Sequence, residues 1–87
     1  MYLAKIYVSL KSTVNDPQGL TIKGALQTLG FNSVMSVRAG KYLELNLEET
    51  DLEKAKQEVN EMCRKLLANP VIETYRFELE EIRATKE

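Results

Sequence analysis

The chain has 87 residues, 44% apolar and 29% charged, and its 12 basic and 13 acidic side chains leave a net charge of -1. That describes one small globular domain with no dominant field, which argues against general nucleic-acid binding, because such surfaces are clustered and basic. There is no histidine and one cysteine, Cys63, so His-based triads, His/Cys metal clusters and an internal disulfide are excluded, and the expected location is cytoplasmic.

No apolar run approaches the roughly 18 residues of a membrane span. MYLAKIYVSL carries a lysine in its middle and no small-residue cleavage site, so it is not expected to act as a signal peptide. Neither G-x-x-x-x-G-K-[ST] nor G-x-G-x-x-G occurs, and no carboxylate or lysine pair stands out by spacing. No catalytic residue, metal site or cofactor site is expected on this chain.

LAKIYVSLK, residues 3–11, alternates, with Ala4, Ile6, Val8 and Leu10 on one side and Lys5, Tyr7, Ser9 and Lys11 on the other. That is a strand with one buried face. Asp16 then caps a helix with Pro17 at its first position, and Ile22, Ala25, Leu26 and Leu29 fall on one helical face. Gly30 is placed to end the helix in a left-handed conformation, with Phe31 folding back over Leu26. Two glycines inside the pattern, Gly19 and Gly24, thin one side of the helix, and Gly24 costs roughly 1 kcal/mol relative to alanine. Packing on the chain's own sheet and close approach by another chain are both open readings.

SVMSVRAGKYLELNLEE, residues 33–49, has strand character on both sides of RAGK. Met35 and Val37 share a face before it and Leu43, Leu45 and Leu47 after it, so two strands joined by a tight turn at Gly40 are predicted. A single bent strand bulged at Gly40 is the alternative. Thr50 and Glu53 read as a capping box for a second helix whose stripe is Leu52, Ala55, Val59, Met62, Cys63 and Leu66. Cys63 on that stripe reads as a buried, inert thiol. Asn69, as a left-handed terminator, and Pro70 stop the helix. VIETYRFELE, residues 71–80, alternates again, and a polar tail, 81–87, follows a domain of residues 1–80.

The order strand, helix, strand, strand, helix, strand packs most economically as an α+β two-layer sandwich, both helices on one face of an antiparallel sheet, the ferredoxin-like arrangement. The other sheet face would carry Lys5, Tyr7, Ser9, Ser36, Arg38, Tyr42, Glu44, Asn46, Thr74, Arg76 and Glu78. Its tyrosines and arginines suit either a solvated face or an oligomer contact. The acidic third strand lacks the pattern of an RNA-recognition module. An anion site at DPQG is disfavoured because Asp16 already faces those amides, and Arg38 and Lys41 beside Gly40, although able to bind phosphate or a partner's carboxylates, read from spacing alone as a solvated turn.

Taken together, VSLKSTVNDPQGLTIKGALQTLG, VMSVRAGKYLELNL and NPVIETYRFELE resemble the PurS family, the small subunit of phosphoribosylformylglycinamidine (FGAM) synthase, from about Tyr2 to Glu80. Asn15 departs from the apolar residue the family often carries before DPQG. The resemblance implies a non-catalytic adaptor, a homodimer or tetramer, that bridges a large synthetase subunit and a glutaminase subunit in purine biosynthesis. It implies that ATP and glutamine are used by those subunits and that no cofactor binds this chain. Asp16, Gln18, Gly19, Arg38, Gly40 and Lys41 carry the matching motif and are assigned interface or structural roles. The sheet face or its edge would pair the dimer, leaving the Gly40 turn and the DPQG end for partners. The alternative is a small-molecule-sensing ACT-type regulatory domain of the same topology; neither nucleic acid nor membrane is expected as a partner.

Overall fold

The computed structural model describes residues 1–82, so most of the expected tail lies outside the described residues. A central strand β1 (Tyr2–Leu10) pairs antiparallel with β2 (Gly40–Leu47) on one side and β3 (Glu73–Glu81) on the other, in the order β2-β1-β3. Glu81 thus belongs to the last strand rather than to the tail, and the Ile82 amide donates to the Met1 carbonyl at 2.9 Å. Helix α1 (Pro17–Thr28) joins β1 to β2, and helix α2 (Leu52–Met62) with a π-helical turn, Cys63–Leu67, joins β2 to β3.

The alternation read from β1 holds: Tyr2, Ala4, Ile6 and Val8 are buried, while Lys5 and Tyr7 lie on the opposite face. α2 lays Ala55 and Val59, and the π turn lays Cys63, all at 0% exposure, onto that face, with Leu43, Leu45, Tyr75, Phe77 and Leu79 around them. Each fully buried apolar side chain of this kind stabilises the fold by about 1.5–3 kcal/mol. Tyr75 also donates its hydroxyl to Asn60 Oδ1 at 2.6 Å, fastening α2 to β3.

The α+β class is therefore as expected, and four local expectations need correction. First, among the described residues the sheet has three strands, not four, and no hairpin at Gly40. Residues 33–39 lie outside the sheet: the Ala39 N–H donates to Asp16 Oδ2, the Val34 carbonyl accepts from Gln27 Nε2, and the Val37 carbonyl packs against Gly19. Gly40 starts β2 opposite Ser9, without a positive φ. Second, α1 does not join α2 on the sheet. It contributes no side chain to the core, and Leu20, Ile22 and Leu29 are exposed.

Third, the N-cap of α2 is Asp51, not Thr50, with its Oδ1 accepting from Glu53 N–H at 3.1 Å. Glu49 accepts from the Thr50 and Asp51 amides and fills the place a capping box would. Fourth, Asn69 is not left-handed; Gly30 alone, at φ 101°, has positive φ among the described residues. The π turn closes instead with the Ala68 amide on the Cys63 carbonyl at 2.9 Å, and Asn69 Oδ1 accepts from Val71 N–H at 3.0 Å. The wider turn advances the apolar stripe by one residue, turning Leu67 and Ala68 to the core and leaving Leu66 exposed.

Candidate functional site

The first turn of α1 is built as its sequence dictates. Asp16 precedes Pro17 and accepts from Gly19 N–H at 3.0 Å, which satisfies an amide the helix cannot. The other end is a Schellman closure. Gly30 N–H donates to the Gln27 carbonyl and Phe31 N–H to the Leu26 carbonyl, both at 3.0 Å, around the positive φ of Gly30.

What the sequence kept apart, the fold brings together. The chain entering β2 crosses the start of α1, and the second Asp16 oxygen accepts from Ala39 N–H at 2.8 Å. Gly19 is buried there because a Cβ would fall on the Val37 carbonyl oxygen; a Cβ on Gly40 would lie 2.5 Å from the Val8 carbonyl oxygen. Both glycines are thus required by close backbone approach rather than by a turn. Gly24 has no atom within 4 Å of a built Cβ, so the in-chain packing reading holds for Gly19 and fails for Gly24.

All six motif residues meet at this corner. Asp16, Gln18, Gly40 and Lys41 line a recess of 260 Å³ together with Ser9 and Glu73. Arg38 lines a neighbouring hollow of 130 Å³, also walled by Asp16, with Leu20, Lys23 and Met35. Arg38 Nη2 donates to the Lys11 carbonyl at 2.7 Å, and Lys11 N–H donates to the Ile72 carbonyl at 2.8 Å. The Ala39 amide foremost, then the Gly19 amide, with a smaller contribution from the Arg38 charge, hold the Asp16 carboxyl below its ordinary range against the opposing effect of burial. With both oxygens engaged by N–H donors, this carboxylate is a structural acceptor and is poorly placed to move a proton. Burial pushes the Cys63 thiol up, away from thiolate chemistry. Among the described residues no cluster of three or more potential metal ligands is present.

The recess joins cations to carboxylates with no paired nucleophile and base, a composition suited to contacting polypeptide. The Ala39 amide on Asp16 and the Val37 carbonyl against Gly19 were not legible, since backbone groups leave no mark in a motif. The D-x-x-G spacing did carry the cap.

The outer sheet face is ordered as well. The Arg76 guanidinium lies 3.9 Å from the Tyr7 ring centroid, and Tyr7 and Tyr42 are 5.0 Å apart. Tyr42 donates to Glu44 Oε2 at 2.7 Å, and this bond is the main reason its hydroxyl is pushed up to about 12. Lys5 pairs with Glu80 at 3.2 Å. Ser36 and Arg38, expected on this face, are absent from it because their segment is not in the sheet.

Comparison with known proteins covers nearly the same span. A family profile described as "PurS: Phosphoribosylformylglycinamidine (FGAM) synthase" matches residues 3–81. The chain is similar to the phosphoribosylformylglycinamidine synthase subunit PurS of Bacillus subtilis, 52% identical over 84 residues, covering 97% of this chain and 99% of the relative. It superposes on the crystal structure of Methanocaldococcus jannaschii PurS at TM-score 0.85 and 48% identity, over 95% of this chain and 100% of that one. A chain in the structure of PurLQS from Thermotoga maritima matches at TM-score 0.81 and 33% identity, over 92% and 99% respectively.

Proposed function

The chain belongs to the PurS family of phosphoribosylformylglycinamidine synthase, and from that premise we propose that it is the small bridging subunit of that ligase. The complex converts formylglycinamide ribonucleotide, ATP, glutamine and water into formylglycinamidine ribonucleotide, ADP, phosphate and glutamate. The family assignment over nearly the whole chain is the observation that carries the reading, and it displaces the ACT-type alternative.

Ammonia released into neutral water is protonated and loses its nucleophilic lone pair, so glutaminase and synthetase sites must be coupled without exchange with solvent. A small rigid body touching both large subunits does this without catalytic groups of its own. The absence of histidine and of nucleotide-binding motifs supports that division, with ATP and glutamine handled by the other subunits and no cofactor on this chain. The Thermotoga maritima PurLQS assembly contains a chain of the same fold, which supports the same partners here. Among the described residues no helix is long and apolar enough to cross a membrane, and a cytoplasmic location fits a biosynthetic enzyme.

Self-association completes the reading. The Cα radius of gyration is 17.0 Å and the extents are 49 × 33 × 16 Å, against about 12 Å for a compact chain of this length. Leu29 at the end of α1 is 72% exposed, and Met35, which lines a hollow with Leu20 of α1, is 83% exposed, apolar surface that a second copy would cover. Homodimers or tetramers formed this way leave the corner at Asp16, Gln18, Arg38 and Lys41 for the larger subunits. The test is charge reversal at a residue that lines the recess without tying the corner: Lys41→Glu is expected to weaken co-purification with the synthetase and glutaminase while leaving self-association intact. Unchanged co-purification assigns the partner contact elsewhere.

A further inference from the structure

Four stretches of chain converge on Asp16. Its Oδ1 serves α1 through Gly19 N–H at 3.0 Å, and its Oδ2 serves the entrance to β2 through Ala39 N–H at 2.8 Å. Arg38 on the Lys11 carbonyl, and Lys11 N–H on the Ile72 carbonyl, tie the same corner to the end of β1 and the chain leading into β3. The Asp16 side chain, which bonds the first two of these directly, is buried, at 4% exposure. Beyond this corner α1 adds nothing to the core. Its other bonds to the chain that follows, the Gly30 and Phe31 amides on its last carbonyls and Gln27 Nε2 on the Val34 carbonyl at 3.4 Å, stay within one exposed limb and do not reach the sheet.

We infer that Asp16 aims α1. One carboxylate oxygen on the helix and one on the strand entrance fix the direction in which the helix leaves the sheet, and that direction determines how a second copy meets its apolar side. The inference rests on the self-association proposed above. A cap needs a single acceptor; the bond to Ala39, across 23 residues of sequence, is surplus to capping and is what relates helix to sheet. Hydrogen bonds to an ionised acceptor are the strong kind, and losing this one leaves a half-buried amide without a partner. Gly19 seated against the Val37 carbonyl makes the fit steric as well as polar.

Three substitutions separate aiming from capping. Asp16→Ser keeps one oxygen for Gly19 but cannot also reach Ala39. Asp16→Asn keeps one acceptor and sets an NH₂ against either the Gly19 or the Ala39 N–H, and Asp16→Ala removes both acceptors. Spin labels on Gln27→Cys and Asn46→Cys, diluted with unlabelled chain so that only intrachain distances are read, report the direction of α1; Cys63, at 0% exposure, stays unlabelled. The chain with Asp16 intact should give one narrow distance, and Asp16→Ser and Asp16→Ala a broad one. Their self-association constants should weaken by about tenfold or more. A narrow, unchanged distance in Asp16→Ser reduces the residue to a cap and overturns the inference. A broad distance with unchanged self-association overturns its link to assembly. If the chain with Asp16 intact stays monomeric at every concentration, the self-association reading fails, and the label distances still decide whether Asp16 aims the helix.

Discussion

α1 and α2 are almost equal in length, 12 and 11 residues, and the chain uses them in opposite ways. α2 carries a continuous stripe that a flat sheet can accept, and its Ala55 and Val59 are sealed against β1. α1 carries a short apolar face, Ile22, Ala25 and Leu26, beside a thin side of Gly24 with Thr21 and Thr28, whose hydroxyls bond back to the Pro17 and Gly24 carbonyls. Only Gly19 of α1 is buried. The difference separates two jobs: α2 gives the isolated chain its stability, and α1, on the reading proposed above, meets a second copy. An amphipathic pattern states that a face will be covered, not which chain covers it.

Substitutions on the two helices should therefore differ in kind. The largest effect is expected for Val59→Asp, which places a charge in the sealed layer under α2; a loss above about 4 kcal/mol, read by chemical denaturation, should leave the sheet unfolded. Gly19→Ala comes next. Its methyl would strike the Val37 carbonyl, and about 3 kcal/mol should be lost although the residue lies on the bare helix. A loss as small as that of an exposed helix position would break the claim that the corner is the one fixed point of α1.

Gly24→Ala should go the other way. Nothing lies within 4 Å of a Cβ there, so in dilute solution the variant should gain about 1 kcal/mol from helix propensity. Weakened self-association in the same variant would sharpen the picture by marking Gly24 as a contact with a second copy. The smallest effect is on pH dependence. The folded state holds the Asp16 carboxyl below its unfolded value, so its contribution is present above the unfolded value and is lost as pH falls through the folded one. Thermal melts across the acid range should show a chain with Asp16 intact converging on Asp16→Asn as the pH drops; curves that stay parallel would remove the carboxylate from the account.

The same contrast explains what could be read before the structure. Local rules were legible where one residue acts on its near neighbours: the alternation of β1, the D-P start of α1, and the glycine closure at Gly30. They slipped where two candidates stood side by side, as with Thr50 and Asp51, or where a π turn shifted the stripe from Leu66 to Leu67 and Ala68. Residues 33–39 read as a strand because Met35 and Val37 alternate, yet their backbone is taken by Asp16 and Gly19, partners that no periodicity encodes. The six motif residues were found as words in the sequence. Their meeting at one corner was not, because it depends on where two separated segments cross.

The central claim is tested most directly by mixing the chain with the synthetase and glutaminase subunits and measuring formylglycinamidine ribonucleotide formed from glutamine, with ammonium as the alternative nitrogen donor. The account predicts that glutamine-dependent synthesis appears only when the chain is added, while synthesis from high ammonium proceeds without it. Full glutamine-dependent activity from the two large subunits alone would contradict it.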